Sequence, residues 1–458
     1  MSDVFSTRPA PAPPRPYHFP PFERRTLSNG LGLLVAPMHK LPIVTVMLVV
    51  DAGAMTEPAG RDGVASLTAR ALLEGTTRLS AAELTGRLER IGASVSSDGD
   101  WDTAGVGVSV LRAHVEEAVA LLGEIVLTPA FPAREVDRLK SERLAEILQT
   151  RAEPRGLADE VFARAVYAPD SRYARQDRGS AESVASLDPA ALTAFHAARY
   201  RPAGSTLIMA GDITTADATT IAERTFAAWR GSAAGPVPLT DSAARATRAL
   251  HLVERPDAPQ SELRVGHVGL PRSHPDYFPV LLMNAILGGL FSSRINLNLR
   301  ERHAYTYGAH SAFEWRRGAG PFDVATAVQS DVTAAAAREI LNEIDAIRSA
   351  PVTADELELA TSYLAGVFPI KYETTDAVAR ALAAMVVFSL PADYFDRYRD
   401  QVRGVTASDV RAAAEKHLRP DALQLVVVGD AAAIRGPLEA LAFGPVVEYG
   451  RDGAPRAP

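Results

Sequence analysis

Hydrophobic positions change their period several times along the chain. Ile43 to Val50 is an almost unbroken apolar run, and Leu31 to Val35 is a shorter one, with a Pro-containing turn between them. Such runs predict two strands. Val106, Val108 and Val110 alternate with small residues, the period expected of a third. Val64 to Glu74, Ala81 to Ile91 and Val115 to Val126 predict helices. Longer helices begin at Ala133 and at Thr353, each with polar or acidic residues in its first turn. Strands and helices come in groups rather than in strict alternation. That favours an α+β fold over a doubly wound sheet.

The chain also repeats itself once. Arg201-Pro202-Ala-Gly-Ser-Thr-Leu-Ile-Met-Ala-Gly211-Asp212 returns as Arg419-Pro420-Asp-Ala-Leu-Gln-Leu-Val-Val-Val-Gly429-Asp430, an offset of 419 − 201 = 218 residues. Ala-rich helical stretches, Asp188 to Arg199 and Ala407 to His417, precede the two copies. Gly231 to Arg248 is rich in Gly, Ser, Ala and Pro and has no apolar periodicity, so it is read as the join. The expected organisation is a Pro-rich arm (1–22), a first α+β domain (23–230), a linker (231–248), a second α+β domain (249–450) and a tail (451–458). Each half is expected to be an antiparallel-rich sheet with helices packed on it.

Composition narrows the chemistry. Hydrophobic residues make up 47% of the 458, enough for sizeable cores. A net charge of −7 argues against a nucleic-acid partner. With no cysteine, thiolate nucleophiles, Cys-ligated zinc and iron–sulfur clusters are excluded. The plain apolar runs, such as Val46 to Val50 and Leu425 to Val428, are short, so no membrane-spanning helix is expected. The N-terminus has no basic or apolar leader pattern. A cytoplasmic location is expected as written, a periplasmic one if a leader was removed.

After the second strand comes Gly63-Val-Ala-Ser66-Leu-Thr-Ala69-Arg70-Ala-Leu-Leu-Glu74-Gly75-Thr76. With the duplication, this frame resembles the insulinase-like (pitrilysin) metallopeptidases, whose helix reads Gly-Leu-Ala-His-x-x-Glu-His and is followed by Gly-Thr. The resemblance covers almost the whole chain and implies a duplicated α+β fold. In that motif two imidazoles one turn apart bind zinc, and the Glu between them is the general base. Here those positions are Ser66, Ala69 and Arg70. Both nitrogen ligands and the base are missing, and Arg adds a permanent positive charge. The family's third ligand falls on Glu146, 146 − 70 = 76 residues on, with pairing to Arg70 as its expected present role. No two of the ten histidines are spaced i, i+4, and His114-Val-Glu-Glu117 has Ala118 where a second His belongs. No metal is therefore expected in this chain.

The second half contains Gly288-Gly289-Leu-Phe-Ser-Ser-Arg294, then Leu299-Arg300-Glu301 and, further on, Tyr305 and Tyr307. This is similar to the family's second-domain motif, in which an Arg and a Tyr stand seven residues apart. Arg300 and Tyr307 match that spacing, Tyr305 is expected to pack, and Arg294 to be structural. A guanidinium can bond a peptide carbonyl through two N–H groups, and a phenol can donate to a developing oxyanion. Some bacterial members are heterodimers, one chain carrying H-x-x-E-H and the other the Arg/Tyr pair. The resemblance thus implies a non-catalytic subunit that acts with a zinc-bearing H-x-x-E-H paralogue on unfolded peptides, with no activity of its own. A structural core subunit without peptide turnover is the alternative. Gly92-Ala93-Ser-Val-Ser96-Ser97 falls on the family's edge strand, and Gly318-Ala-Gly320 is expected to be a hairpin turn.

Overall fold

Each half builds one six-stranded sheet, and five strands of the two sheets repeat one order, one outer strand of each differing. The computed structural model describes residues 16–235, 237–239 and 241–456. The first fifteen positions of the Pro-rich arm, linker positions 236 and 240 and the last two tail positions lie outside them. In the first half β1 (Glu23–Thr26), β2 (Gly32–Pro37), β3 (Ile43–Val50), β4 (Ser94–Gly99), β5 (Ala104–Leu111) and β6 (Thr206–Gly211) lie in the order β1-β2-β6-β3-β5-β4. In the second, β7 (Ala249–Glu254), β8 (Gln260–Val268), β9 (Ala309–Phe313), β10 (Pro321–Gln329), β11 (Gln424–Gly429) and β12 (Val446–Tyr449) lie in the order β12-β7-β11-β8-β10-β9. β2–β6 and β7–β11 are parallel, and from there to the far edge every pairing is antiparallel. Helices starting at Val115 and Thr333, and at Pro189 and Ala407, keep the 218-residue offset of the Arg-Pro repeat. The α+β, two-half arrangement expected from the sequence is the one observed.

The halves exchange helices. Val44, Val46, Leu48 and Val50 of β3 join the first half's own core. Val49 and Met47 face the other way, into a cluster with Val378, Leu382 and Met385 of the second-half helix Thr375–Val387. In return, the first-half helix Pro154–Val166 sets Leu157, Val161 and Phe162 against Val253, Val426 and Val428 of the second sheet. Gly266 of β8 lacks a Cβ where Phe162 Cζ and the Phe322 carbonyl oxygen would meet one at 2.8 and 1.9 Å. A sheet covered on both faces loses the polar half of its alternation, which is why β3 and β11 are nearly continuous apolar runs. At about 1.5–3 kcal/mol per buried aliphatic side chain, this exchange fixes the halves more firmly than surface ion pairs can.

The Gly318-Ala319-Gly320 segment is a hairpin turn between β9 and β10 and sits at the junction of the halves. Tyr167 Oη donates to its Ala319 carbonyl at 2.8 Å, and the Ala319 amide donates to Asp241 at 2.7 Å. Next to it, Arg317 reaches Asp51 at the end of β3, 2.5 Å away. Ahead of β1, Phe19 stacks on Phe395 of the second half with ring centroids 4.3 Å apart. Tyr277–Arg302 is 26 residues long and, with a mean hydropathy of 1.4 over its most apolar 18 residues, meets the length and composition of a membrane-crossing helix. Half of its most apolar stretch is buried in the protein, and a turn at 290–293 interrupts it, so it serves as core.

Two buried histidines give the second sheet a pH dependence. Burial pulls His267 down to about 3 and His251 to about 4. The His267 Nε2 lone pair accepts from the Arg419 amide at 3.1 Å, a bond its protonation would destroy. An unfolded chain protonates these rings near pH 6.5, so their burial destabilises the fold progressively below that pH. Asp323, which burial pushes up to about 7, acts with the opposite sign in the same window. We therefore expect the effect in a comparison. His267→Gln should be less stable than the parent at pH 7.5 and should close that gap as pH falls from 6.5 to 4.5, in urea unfolding followed by circular dichroism. A gap independent of pH would count against it.

Candidate functional site

Helix Val64–Ala71 carries the three altered zinc-motif positions, and a buried acid fixes its start. Gly63 before it has φ = 91°, which suits glycine. No capping side chain stands at Gly63 itself. Instead the Glu57 carboxylate accepts from the Gly63 and Ala65 amides, both at 2.9 Å, and Arg172 holds its other oxygen at 2.6 Å. On the far side, Ser97 of the edge strand β4 donates its hydroxyl to the Ala69 carbonyl at 2.6 Å.

Ser66 and Ala69 are buried. Arg70 leaves the helix for Glu142, 2.8 Å away, and Glu146, 3.0 Å away, both on helix Ala133–Ala152. The structure thus contains the Arg70–Glu146 pair. Glu146 also takes Arg143 Nε at 3.1 Å, and Arg143 Nη2 lies 3.3 Å from Ser66 Oγ. Arg138 extends the lattice to Glu142 and Glu74, at 2.6 and 2.7 Å. Half-exposed ion pairs of this kind contribute about 0–1 kcal/mol each. What matters here is their identity. One hydroxyl, one methyl and two guanidinium groups occupy the neighbourhood that a zinc ion would need lined with imidazole and carboxylate. This donor set does not fit zinc.

The second-half motif is arranged differently. Two π-helical turns, Ala285–Gly289 and Leu297–Arg302, flank Arg294, which pairs with Glu356 through two bonds of 2.6 and 2.9 Å. Arg294 therefore ties the motif to the N-terminus of helix Ala354–Lys371. Gly288 packs against β9, where a Cβ would lie 2.4 Å from Ser311 Oγ. Asn296 accepts from the Ala309 amide at 3.1 Å and so joins the motif to the start of that strand. Tyr305 is partly buried against the second core and stacks on His303. Tyr307 is 95% exposed. It stands in a turn held by Thr306, whose hydroxyl bonds the Gly308 amide and carbonyl, and by Thr326, 3.1 Å from the Gly308 carbonyl. Arg300 is partly exposed, with its guanidinium 4.6 Å over the Phe291 ring. Arg300, Tyr307, Gly288 and Phe291 line one open cavity of about 500 Å³. Ser66, Ala69, Arg70 and Glu146 do not line it.

Two features have no local sequence signal. The first is Arg155, from the first-half helix Pro154–Val166, which lines the same cavity as Arg300. The second is a cluster of His274, Asp276 and His417, whose ligand-type atoms lie within 4.8 Å of one another. Its Asp276 oxygen already accepts from Lys416 and His417, each at 2.7 Å, and this holds the carboxyl down at about 2. The cluster is an ion-paired tie between the segment ahead of helix Tyr277–Asn284 and the end of helix Ala407–His417.

Comparison with known proteins identifies the family. Residues 34–173 match the model of the insulinase peptidase family M16, and residues 186–364 match that of the peptidase M16 inactive domain. An uncharacterized zinc protease of Streptomyces coelicolor is 23% identical over 85% of this chain and 86% of its own length. A probable mitochondrial-processing peptidase subunit beta of Schizosaccharomyces pombe is 27% identical over 59% of each chain. A crystal structure titled as a peptidase M16 inactive domain, from Pseudomonas fluorescens, superposes with a TM-score of 0.84 at 27% identity, covering 89% of this chain and 98% of that one. A Helicobacter pylori protease shares the fold, with a TM-score of 0.82 at 17% identity over 90% of this chain and all of that one. With both halves matched and their order kept, the chain belongs to the insulinase-like M16 peptidase family.

Proposed function

We propose that this chain is the metal-free subunit of a two-chain insulinase-like metallopeptidase. Its Arg300 and Tyr307 complete a site whose zinc is held by an H-x-x-E-H paralogue. The observation that carries this reading is the exposure of Tyr307, 95%, on an ordered turn beside an open cavity, in a chain whose zinc-motif positions are filled by Ser66, Ala69 and Arg70. A phenol held outward by backbone bonds, with no partner of its own among the described residues, is placed to donate to something that arrives from outside. The relative named as a processing-peptidase subunit and the neighbour titled as an inactive domain support the same reading.

The roles follow from the side chains. Arg300 binds and orients a carbonyl of an extended peptide, and the Phe291 ring beneath it fixes the plane of the guanidinium. Tyr307 donates its hydroxyl proton as a hydrogen bond to the oxygen that gains charge when that carbonyl is attacked. The activated water comes from the partner's metal site.

We expect the isolated chain to hold less than stoichiometric zinc and to cleave no peptide. Mixed with a paralogue bearing H-x-x-E-H, it should co-elute as one complex and turn over unfolded peptide. Elemental analysis, size exclusion and a quenched-peptide assay together decide. One tightly held zinc per isolated chain, lost on Glu146→Ala, would overturn the metal-free assignment. A stable complex without turnover would replace this reading with that of a structural subunit.

A further inference from the structure

The cavity around Arg300 and Tyr307 is positively charged, and the charge comes from both halves. Arg264 in its floor is neutralised by Asp159 at 2.6 Å and Glu262 at 2.9 Å. Partial desolvation and the nearby Arg264 and Arg155 guanidinium groups lower the His310 pKa below the usual imidazole value. Two cations are left over. Arg300 has only Glu301, 3.4 Å away and largely exposed, where screening makes the pair weak. Arg155 has no carboxylate within ion-pair distance among the described residues, although its helix is otherwise well paired through Arg151–Glu160 and Arg264–Asp159. The Phe291 ring, 68% exposed, forms an apolar wall beside Arg300.

Arg155 is anchored there through its backbone. Its helix is the one exchanged between the halves, and Leu157, Ala158, Val161 and Phe162 anchor it against the second sheet. The chain bends into this helix after Ala152, and Gly156 lies where a Cβ would be 2.4 Å from the Thr150 carbonyl oxygen. A first-half residue is thereby fixed at the edge of a second-half site. One unpaired and one weakly paired guanidinium group around a cleft of about 500 Å³ form a receptor for a carboxylate, which each can bind through two N–H groups. Ligand clefts usually span about 300–1,000 Å³, so the space suits a short stretch of peptide.

We infer that Arg155 and Arg300 form a subsite for a carboxylate of the bound peptide, next to the carbonyl that Arg300 and Tyr307 engage, and so select acidic peptides. This rests on the peptide-binding role proposed for Arg300 and Tyr307, but it is tested without turnover. The carboxylate can be an Asp or Glu side chain or the peptide's C-terminus.

The test is binding of fluorophore-labelled ten-residue peptides to the full chain alone, read by anisotropy at low salt. The series carries Glu, Gln or Lys at one central position, each with a free or an amidated C-terminus. The Glu peptide should bind about tenfold more tightly than the Gln peptide, the size of one charge-assisted contact, and the Lys peptide more weakly still. The Glu advantage should shrink at 0.5 M salt. Arg155→Gln should remove most of it and Arg155→Lys only part. The Arg155 side chain is exposed, so melting curves should confirm that these variants fold. If amidation weakens binding about tenfold and Glu→Gln leaves it unchanged, the recognised group is the C-terminus. Equal binding of the Glu, Gln and Lys peptides regardless of C-terminus, no binding of any, or a Glu advantage intact in Arg155→Gln would overturn the inference. Turnover in the two-chain assay with no acidic preference sinks this inference alone. Acidic preference without turnover sinks the peptidase reading alone.

Discussion

In the reconstituted two-chain complex, Tyr307→Phe is expected to lower kcat by about 10²–10³-fold, the usual cost of one oxyanion donor. The substitution removes one oxygen from a side chain that is already 95% exposed and packs against little. Folding and assembly should not change, and the loss should appear in kcat rather than in KM. Arg300→Ala should raise KM as well, because it removes a contact made in the ground state and leaves Phe291 uncovered. Tyr305→Phe is the internal control. Its ring stacks on His303 with centroids 4.9 Å apart, and its amide bonds the Leu299 carbonyl at 2.8 Å, so it acts through packing and backbone. It should cost little in kcat. Wild-type turnover in Tyr307→Phe, or a larger loss in Tyr305→Phe, would move the oxyanion role away from Tyr307.

The fold was legible because its central strands are covered on both faces and its duplication keeps register. The 218-residue offset between Arg201 and Arg419 reappears between helix starts 189 and 407 and strand starts 206 and 424. Arg300, Tyr307 and the altered positions Ser66, Ala69 and Arg70 could be named because each lies in a short local frame of glycine, serine and charged residues. The exchange of helices was not legible. An amphipathic helix such as Pro154–Val166 shows that one face is apolar but not which sheet will cover it, and here the sheet belongs to the other half. Everything that depends on the exchange was therefore hidden, above all Arg155 in the second-half cavity. Arg143 was hidden for another reason. Nothing in the sequence around it shows that its guanidinium comes within 3.3 Å of the Ser66 hydroxyl.

Glu57 is the residue whose loss should cost the most stability. Its side chain is fully buried, and Arg172 opposite is 8% exposed, so this pair differs in kind from Arg70–Glu142, where both partners are more than a third exposed. Arg172 bonds Glu57 through Nε at 3.0 Å and Nη2 at 2.6 Å, and the carboxylate's other oxygen closes the start of helix Val64–Ala71 through two amides. Glu57→Ala leaves the guanidinium buried with Asp62 at 3.4 Å as its nearest remaining carboxylate, and it also frees the Gly63 and Ala65 amides. Breaking a buried pair on one side costs roughly 3–5 kcal/mol. In a half of this size that lowers Tm by on the order of 10 °C. The measurement belongs at pH 8, because burial pushes the Glu57 carboxyl up to about 7 and the pair must be ionised for the comparison to hold. Arg70→Ala, removing half-exposed pairs, should cost about 1 kcal/mol or less. The double variant Glu57→Leu with Arg172→Met should recover part of the loss, because it removes the stranded charge, but not all of it, because the two amides still lack an acceptor. A Tm in Glu57→Ala within about 2 °C of the parent would show that Asp62 takes over Arg172 and that the helix start does not depend on the Glu57 carboxylate.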